Sequence, residues 1–292
     1  MLAAAAGAAR LPAAPRCPIF PASNPWNQRV DGLPVAPDSD RLVASIGLDA
    51  PVHADFGSGR YEGRPIGIPF QVVGRRTPRT RVVFDYAGES DRVPYPIPAR
   101  VRIEGGGDRH ALLVDRDACR LYELYALRRT AGGWRAGSGA VWSLRSNHLR
   151  PAGWTSADAA GLPIFPGLAR YDEVRRGAID HALRFTAPHT RRAYVYPARH
   201  NASDSDDPGL PPMGLRVRLK ASVDLSGFPP QARVVLVALK RYGMILADNG
   251  SPWFVSGAPD PGWDNDDLHS LSRLTGGDFE VVDTSSLPRP GG

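Results

Sequence analysis

Four side chains that can exchange protons lie on or beside predicted β-strands. His110 and Glu123 lie on the two arms of a predicted hairpin. His200 ends the strand-like run YVYPARH, and Asp248 directly follows the apolar run MILA. Imidazole and carboxyl groups are the side chains that most often act as general acids and bases. We therefore predict a catalytic set in which Glu123 or Asp248 is the carboxyl group and His110 or His200 is its acid–base partner.

The same set of residues also fits a metal ion. Two imidazoles and one carboxylate, here His110, His200 and Glu123, are ligands that transition metals accept. Each histidine could equally be a structural group whose hydrogen bonds are satisfied inside the protein. No ligand spacing along the chain favours the metal, so we predict no metal ligands and leave the cofactor open.

Aromatic and polar residues in predicted loops are candidates for substrate binding. Flat aromatic rings with a polar edge stack on sugar rings, and a neighbouring carboxylate or amide can bind the sugar hydroxyl groups. The predicted binding residues are Trp154, Asp158, Tyr196, Asn249 and Trp253. Trp26 and Trp263 lie in similar predicted loops. These rings could instead be hydrophobic plugs, and the run DNG is also an ordinary turn sequence.

Several common classes of function lack their sequence motifs. The chain has no GxxxxGK[ST] loop, no GxSxG, no HExxH and no GxGxxG before a predicted helix, which argues against ATP-binding, dinucleotide-binding and nucleophile-elbow enzymes. The net charge is +6, but arginines supply nearly all of the positive charge and are scattered along the chain. Because no basic helical face is predicted, we expect no nucleic-acid partner.

The elements that must position these residues are short. The chain has 31 glycines and 29 prolines in 292 residues, and both types interrupt helices. The clearest hairpin is HALLVDRDACRLYELY, with its turn at residues 115–118. The most convincing helix runs from Pro229 to Tyr242 and ends before Gly243. We predict a β-rich α+β fold: a single domain with a β-sandwich or jelly-roll-like sheet core, two or three short helices and long loops.

The two cysteines, Cys17 and Cys119, lie far apart in the sequence. They lack metal-ligand spacing, so we predict a disulfide between the N-terminal arm and the hairpin, with two buried thiols as the alternative. We predict that residues 1–16 are a signal-peptide remnant or a disordered arm, 17–285 the globular domain and 286–292 a disordered tail. No apolar run is long enough to span a bilayer, so no membrane partner is predicted.

Several segments resemble a family of uncharacterised proteins secreted by soil bacteria. They include NPWNQRVDGLPV, RPAGWTSADAAGLPI, YVYPARH and WDNDDLH, and the resemblance extends from about residue 18 to residue 284. The resemblance implies an extracellular location and favours polysaccharide chemistry. It identifies no catalytic residues.

These observations lead to two expectations for function. The first is a secreted, extracellular carbohydrate-active enzyme of the glycoside hydrolase or lyase type. It would cleave a polysaccharide by carboxylate–histidine acid–base chemistry, with metal assistance left open. The alternative is a non-catalytic glycan-binding or cell-surface module. In either case we expect a monomer whose partner is a polysaccharide.

Overall fold

The computed structural model describes residues 9–290. Its strands are β1 His53–Asp55, β2 Arg60–Tyr61, β3 Arg64–Pro65, β4 Phe70–Val73, β5 Arg79–Thr80, β6 Val82–Phe84, β7 Tyr95–Pro96, β8 Ala111–Asp115, β9 Arg120–Leu124, β10 Arg128–Thr130, β11 Gly133–Ala136, β12 Gly139–Ser143, β13 Leu183–Ala187, β14 Arg216–Leu219, β15 Met244–Asn249, β16 Phe254–Ser256 and β17 Phe279–Val281. Its α-helices are α1 Ser39–Gly47, α2 Tyr171–Arg176, α3 Pro230–Arg241 and α4 Asn265–His269. Residues 1–8 of the predicted signal-peptide remnant and residues 291–292 of the predicted tail lie outside the described part of the chain.

The largest sheet has six strands in the order β1-β16-β13-β15-β14-β17. β13 pairs in parallel with β15, and β14 pairs antiparallel with β15. Most residues of β13 and the first four residues of β15 are buried, as expected for central strands that are covered on both faces. The chain passes from β14 to β15 through α3, which packs against β14.

The predicted long helix is confirmed as α3, to within one residue at each end. Ala232, Val235 and Leu239 are buried, and their spacing of three or four residues places them on one helix face. Pro230 lies in the first turn, where a missing backbone N–H costs little. Gly243 follows the helix with φ of 64°, a left-handed conformation that favours glycine after a helix end.

The predicted hairpin is confirmed within a four-stranded sheet of order β12-β9-β8-β4. β8 and β9 pair antiparallel, and Leu112 lies directly opposite Glu123. The face that carries Leu112 packs in one hydrophobic cluster, and the face that carries Leu113 packs in another. Because both faces are buried, the open end of the hairpin, next to His110 and Tyr125, has a fixed position.

Cys17 and Cys119 form the predicted disulfide, with Cα atoms 5.2 Å apart and a sequence separation of 102. The N-terminal arm beyond it is also part of the fold. Ala9, Leu11 and Ala14 are buried in the same cluster as the disulfide. The prediction that the domain begins at residue 17 is therefore corrected, because these apolar side chains gain from burial beside the hairpin.

The β-rich α+β class is confirmed, whereas a sandwich or jelly-roll is not. Four strand pairs are parallel, namely β1–β16, β4–β8, β6–β11 and β13–β15, and parallel pairs require crossover connections instead of hairpins. The described residues of the predicted disordered tail also contact the domain, since Pro290 accepts a hydrogen bond from the Tyr196 hydroxyl. Within residues 9–290, no helix is long and apolar enough to cross a membrane.

Candidate functional site

A cavity of about 440 Å³ is lined by residues from both main sheets. β15 contributes its last two residues, Asp248 and Asn249. His110, just before β8, and Tyr125, just after β9, line the cavity from the open end of the hairpin. The remaining lining residues are Tyr86, Glu89, Asp108, the segment 155–159, His200 and Ala202. The structure thus brings together three predicted catalytic residues (His110, His200, Asp248) and two predicted binding residues (Asp158, Asn249).

A β-bulge in β15 immediately precedes Asp248. Two consecutive residues of β13 pair with Leu246 and Asp248, so Ala247 is the extra residue. The carbonyl oxygen of Ala247 accepts a hydrogen bond from the Ala160 N–H at 2.9 Å. Bulges change the direction of the side chains that follow and are frequent beside functional sites. Here the bulge also ties β15 to the segment that lines the cavity.

His110 is held between two hydrogen-bond acceptors. Its Nδ1 lies 2.5 Å from Glu104 Oε2, and its Nε2 lies 2.9 Å from the carbonyl oxygen of Ala157. Since both oxygens accept, both ring nitrogens carry hydrogen and the ring is a cation. Burial opposes this charge, but the Glu104 carboxylate outweighs burial and raises the pKa of His110 to about 9. In this state neither ring nitrogen of His110 has a free lone pair with which to accept a proton or bind a metal ion.

His200 presents a free ring nitrogen instead. Its Nδ1–H donates to the carbonyl oxygen of Ala159 at 2.8 Å, so the neutral ring keeps its lone pair on Nε2. Within residues 9–290, Nε2 makes no hydrogen bond to the protein. The backbone N–H of His200 donates to the carbonyl oxygen of Ala160. The segment 155–160 therefore fixes the position of the ring from two sides, and His200 is available to accept a proton from a bound molecule.

Asp158 and Asp248 share one guanidinium group. Arg184 Nη2 donates to Asp158 Oδ1 at 2.8 Å and to Asp248 Oδ2 at 2.7 Å. One positive charge thus faces two carboxyl groups, and Asp158 Oδ2 is buried without a hydrogen-bond partner. Burial raises the pKa of Asp158 to about 6, with Arg184 opposing the rise and Asp248 adding to it. Burial likewise raises the pKa of Asp248, so the pair retains a proton more readily than separate aspartates do.

Asp248 is the member of this pair that a bound molecule can reach. Its side chain is 26% exposed, whereas that of Asp158 is fully buried at 0%. Asp248 Oδ1 accepts a hydrogen bond from the backbone N–H of Asn249 at 2.8 Å. The Asn249 side chain is paired with the Thr190 hydroxyl. The cavity therefore combines an accessible carboxyl group of raised pKa with an accessible imidazole that can act as a base.

Glu123 does not line the cavity. Its carboxylate is completely buried and accepts hydrogen bonds from the N–H groups of Ile164, at 2.9 Å, and Phe165, at 2.8 Å. These bonds hold the 3-10 turn Phe165–Gly167 against β9. Burial raises the pKa of Glu123 to about 8, and the two backbone hydrogen bonds oppose that rise. The prediction of Glu123 as the catalytic carboxyl group is therefore corrected, since both its position and its hydrogen bonds are structural.

Three of the predicted loop tryptophans belong to the core. Trp253 is completely buried, and its ring stacks on Phe185 and Phe279 with centroid distances of 5.6 and 5.2 Å. Its indole N–H donates to a backbone carbonyl at 2.7 Å. Trp26 and Trp263 are buried as well. The prediction that Trp253 stacks on sugar rings is corrected, because its ring is completely buried and packs in the hydrophobic core.

Trp154 and Tyr196 are half-buried but do not line the cavity. The Trp154 ring lies 5.5 Å from the Arg150 guanidinium, and the next residue, Thr155, does line the cavity. The Tyr196 hydroxyl donates to the carbonyl oxygen of Pro290 at 3.0 Å. The structure thus places Trp154 beside the site and gives Tyr196 a contact with the C-terminal segment instead.

Sequence reasoning missed two residues that organise the site. Arg184 lies in the buried strand β13. An arginine within a buried strand requires hydrogen-bond acceptors, and the run LRFTA contains such an arginine. Glu104 lies outside the helices and strands, in the run IEGG, where nothing marks it as the partner of His110.

A larger cavity of about 830 Å³ is lined by Glu104, the partner of His110. Its walls include His53, Asp55 and Phe254, and the His53 ring packs on the Phe254 ring with centroids 4.2 Å apart. Its lining includes neither His200 nor the Asp158–Asp248 pair. The smaller cavity is therefore the candidate functional site.

No family model matches the chain, and no curated protein or solved structure matches it either. In the part of the chain that the structure describes, no three histidine, cysteine, aspartate or glutamate side chains are grouped so that they could hold a metal ion.

Proposed function

We propose that the protein is a secreted carbohydrate-active enzyme that cleaves a polysaccharide by acid–base chemistry in the 440 Å³ cavity. The observation that supports this most strongly is the arrangement of His200 and Asp248 in one cavity. His200 has its Nδ1–H committed to a carbonyl oxygen and its Nε2 free. Asp248 is accessible and shares a guanidinium with a second carboxyl group. A base and an acid of this kind are what cleavage of a glycosidic bond requires.

In hydrolysis, Asp248 acts in its protonated form and His200 in its neutral form. Asp248 donates its proton to the glycosidic oxygen as the bond from that oxygen to the anomeric carbon breaks. His200 Nε2 accepts a proton from the water molecule whose oxygen bonds to the same carbon. Asp248 is then ionised and His200 protonated, and exchange of protons with solvent restores both groups.

The disulfide supports an extracellular location. The Cys17–Cys119 bridge closes a long section of chain, and such bridges persist in oxidising compartments, whereas cytosolic thiols are kept reduced. A polysaccharide outside the cell is accessible to an enzyme in that location.

The alternative of a non-catalytic glycan-binding module has less support. Such a module would bind sugars on exposed aromatic rings, but Trp26, Trp253 and Trp263 are buried. Retention of the protein on an insoluble glycan, without any product released, is the result that would favour this alternative.

The proposed activity is tested by incubating the protein with neutral, amino and acidic polysaccharides. New reducing ends report hydrolysis, and unsaturated sugar products report elimination. We expect His200→Gln and Asp248→Asn each to lower the rate by about a hundredfold or more, because each removes a group that moves a proton. His148→Gln is the matched control, since His148 is exposed and does not line the cavity.

Unchanged rates in both cavity variants would place the chemistry elsewhere in the protein. If no polysaccharide in the panel yields either kind of product, the proposal of an enzyme is wrong.

A further inference from the structure

The candidate cavity has more carboxyl groups than available cations. Its lining includes Glu89, Asp108, Asp158 and Asp248, and it includes no lysine or arginine. Asp108 is exposed, and its side chain makes no hydrogen bond or ion pair with any residue in the range 9–290. A molecule that enters the cavity therefore meets a negative electrostatic potential.

The nearby positive charges are already committed to other partners. The Arg184 guanidinium lies between Asp158 and Asp248 and is almost completely buried. The His110 imidazolium is paired with Glu104. Even after these pairings, Asp158 Oδ2 is buried and lacks a hydrogen-bond partner. Among residues 9–290, the exposed carboxylate of Asp108 also has no cationic partner, so the cavity favours a ligand with a positive charge.

Two tyrosines add a second feature that suits a cation. Tyr86 and Tyr125 both line the cavity. The faces of aromatic rings carry partial negative charge and attract ammonium groups. Carboxylates together with aromatic faces recognise an amine more strongly than they recognise a neutral hydroxyl group.

We propose that the cavity binds a sugar ring with a free amino group, so that the substrate is an amino polysaccharide. This inference rests on the proposed function, because it names the substrate of the same site. The ammonium group lies beside Asp108 and the tyrosine rings, where it offsets negative charge, and Asp248 keeps the proton that it donates. The carboxylates of a uronic acid polymer would instead be repelled by those of the cavity. The cavity therefore disfavours binding of such polymers, and with it their cleavage by elimination.

Titration calorimetry with the full-length protein tests the proposal on three probes. They are a glucosamine tetrasaccharide, its N-acetylated counterpart and a galacturonic acid tetrasaccharide, at a pH where the free amine is protonated. We expect the glucosamine probe to bind at least about tenfold more tightly than the N-acetylated probe, with the preference decreasing at high salt. Equal affinity for the two, or tighter binding of the galacturonic acid probe, would overturn the inference.

Asp108→Asn removes one negative charge from an exposed position in the cavity without disturbing a buried contact. It should weaken binding of the glucosamine probe several-fold and leave the N-acetylated probe unchanged. Asp49→Asn is the matched control, because Asp49 is also exposed and does not line the cavity. If both variants behave alike, the cavity carboxylates do not select the amine.

This experiment separates the inference from the proposed function. Tight binding of the amine without cleavage would support the inference and contradict the enzyme. Cleavage that depends on His200 but prefers neutral chains would support the enzyme and contradict the inference.

Discussion

At the scale of single residues, Arg184 divides its charge between Asp158 and Asp248. A guanidinium that faced Asp248 alone would hold that group in its ionised form, and Asp248 could not donate a proton near neutral pH. Burial raises the pKa of Asp248 and Arg184 opposes that rise, and the buried Asp158 shares the Arg184 charge. In the proposed mechanism, Asp158 is therefore a positioning residue that acts through Asp248.

The variant Asp158→Asn should move the pH dependence of the activity. It removes a negative charge beside Asp248, and the Arg184 charge then acts on Asp248 alone. The pKa of Asp248 should therefore fall. In the proposed mechanism Asp248 acts when protonated, so activity is lost as pH rises through that pKa. The alkaline limb of the kcat profile should therefore shift to lower pH.

A purely structural role for Asp158 predicts a different outcome. The rate would then fall by a similar factor at every pH, without a shift of the alkaline limb. The Asp49→Asn variant provides the reference profile for a change of one surface charge.

At the residue scale, the sequence allowed candidate residues to be chosen but did not reveal their contacts. His200, Asp248, Asp158 and Asn249 could be chosen because proton-transfer or polar side chains beside predicted strands are ordinary candidates. The run DNGSPW could not reveal that Trp253 stacks on Phe185 and Phe279, because those contacts join residues far apart in the chain. The Asp158–Arg184 pairing is non-local in the same way.

At the scale of elements, the segment 155–160 is fixed from three sides. His110, just before β8, donates to the carbonyl oxygen of Ala157, and Ala247 of β15 accepts from the N–H of Ala160. The same segment holds His200 through the carbonyl oxygens of Ala159 and Ala160. The His110–Glu104 pair therefore stabilises the position of a residue with which it has no direct contact.

Stability should decrease as the pH rises from 6.5 toward 9. Folding raises the pKa of His110 from 6.5 to about 9, so its contribution is complete below the lower value and lost above the higher one. This contribution is at most about 3 kcal/mol. The raised pKa of Glu123, about 8, acts in the same direction, because the folded chain favours its protonated form. Chemical denaturation across this pH range measures the effect.

The variant His110→Gln should flatten this pH dependence, and His189→Gln should not. His189 is exposed, so its replacement controls for the loss of one titrating imidazole. An equal slope in the wild type and His110→Gln would contradict the charged state assigned to His110.

Elements with local signals were predictable, and their assembly was not. The β8–β9 hairpin and α3 follow from alternation and helical spacing within a few residues. The parallel pairing of β13 with β15 joins strands separated by β14 and α3 in the sequence. Pairings of this kind depend on the packing of the whole chain, which is why the sandwich or jelly-roll prediction was not confirmed.

At the scale of the whole molecule, the disulfide joins the N-terminal arm to the sheet that positions His110. The bridge closes a ring of chain between residues separated by 102 positions. In the chain-entropy model, a ring of this length stabilises the folded state by at most about 5 kcal/mol, because it restricts the unfolded chain. Ala9, Leu11 and Ala14 pack close to the same bridge.

Replacing both cysteines with serine should lower the free energy of unfolding by up to about 5 kcal/mol. Denaturant unfolding of the double variant, and of the wild type with and without a reductant, measures this change. Equal stability of the wild type with and without the reductant would show that the bridge does not stabilise the folded state. The double variant is the control, because a reductant should not change its stability.

The closed ring has a consequence for how the protein withstands a protease. Residues 18–118 lie inside the ring, and they include the exposed hairpin of β2 and β3 as well as Glu104 and His110. A single cut anywhere in this section produces two peptides that stay linked through sulfur. A nicked molecule therefore keeps the β8–β9 hairpin, the N-terminal arm and the segment with Glu104 in one covalent unit, which favours survival of the cavity after a single cut.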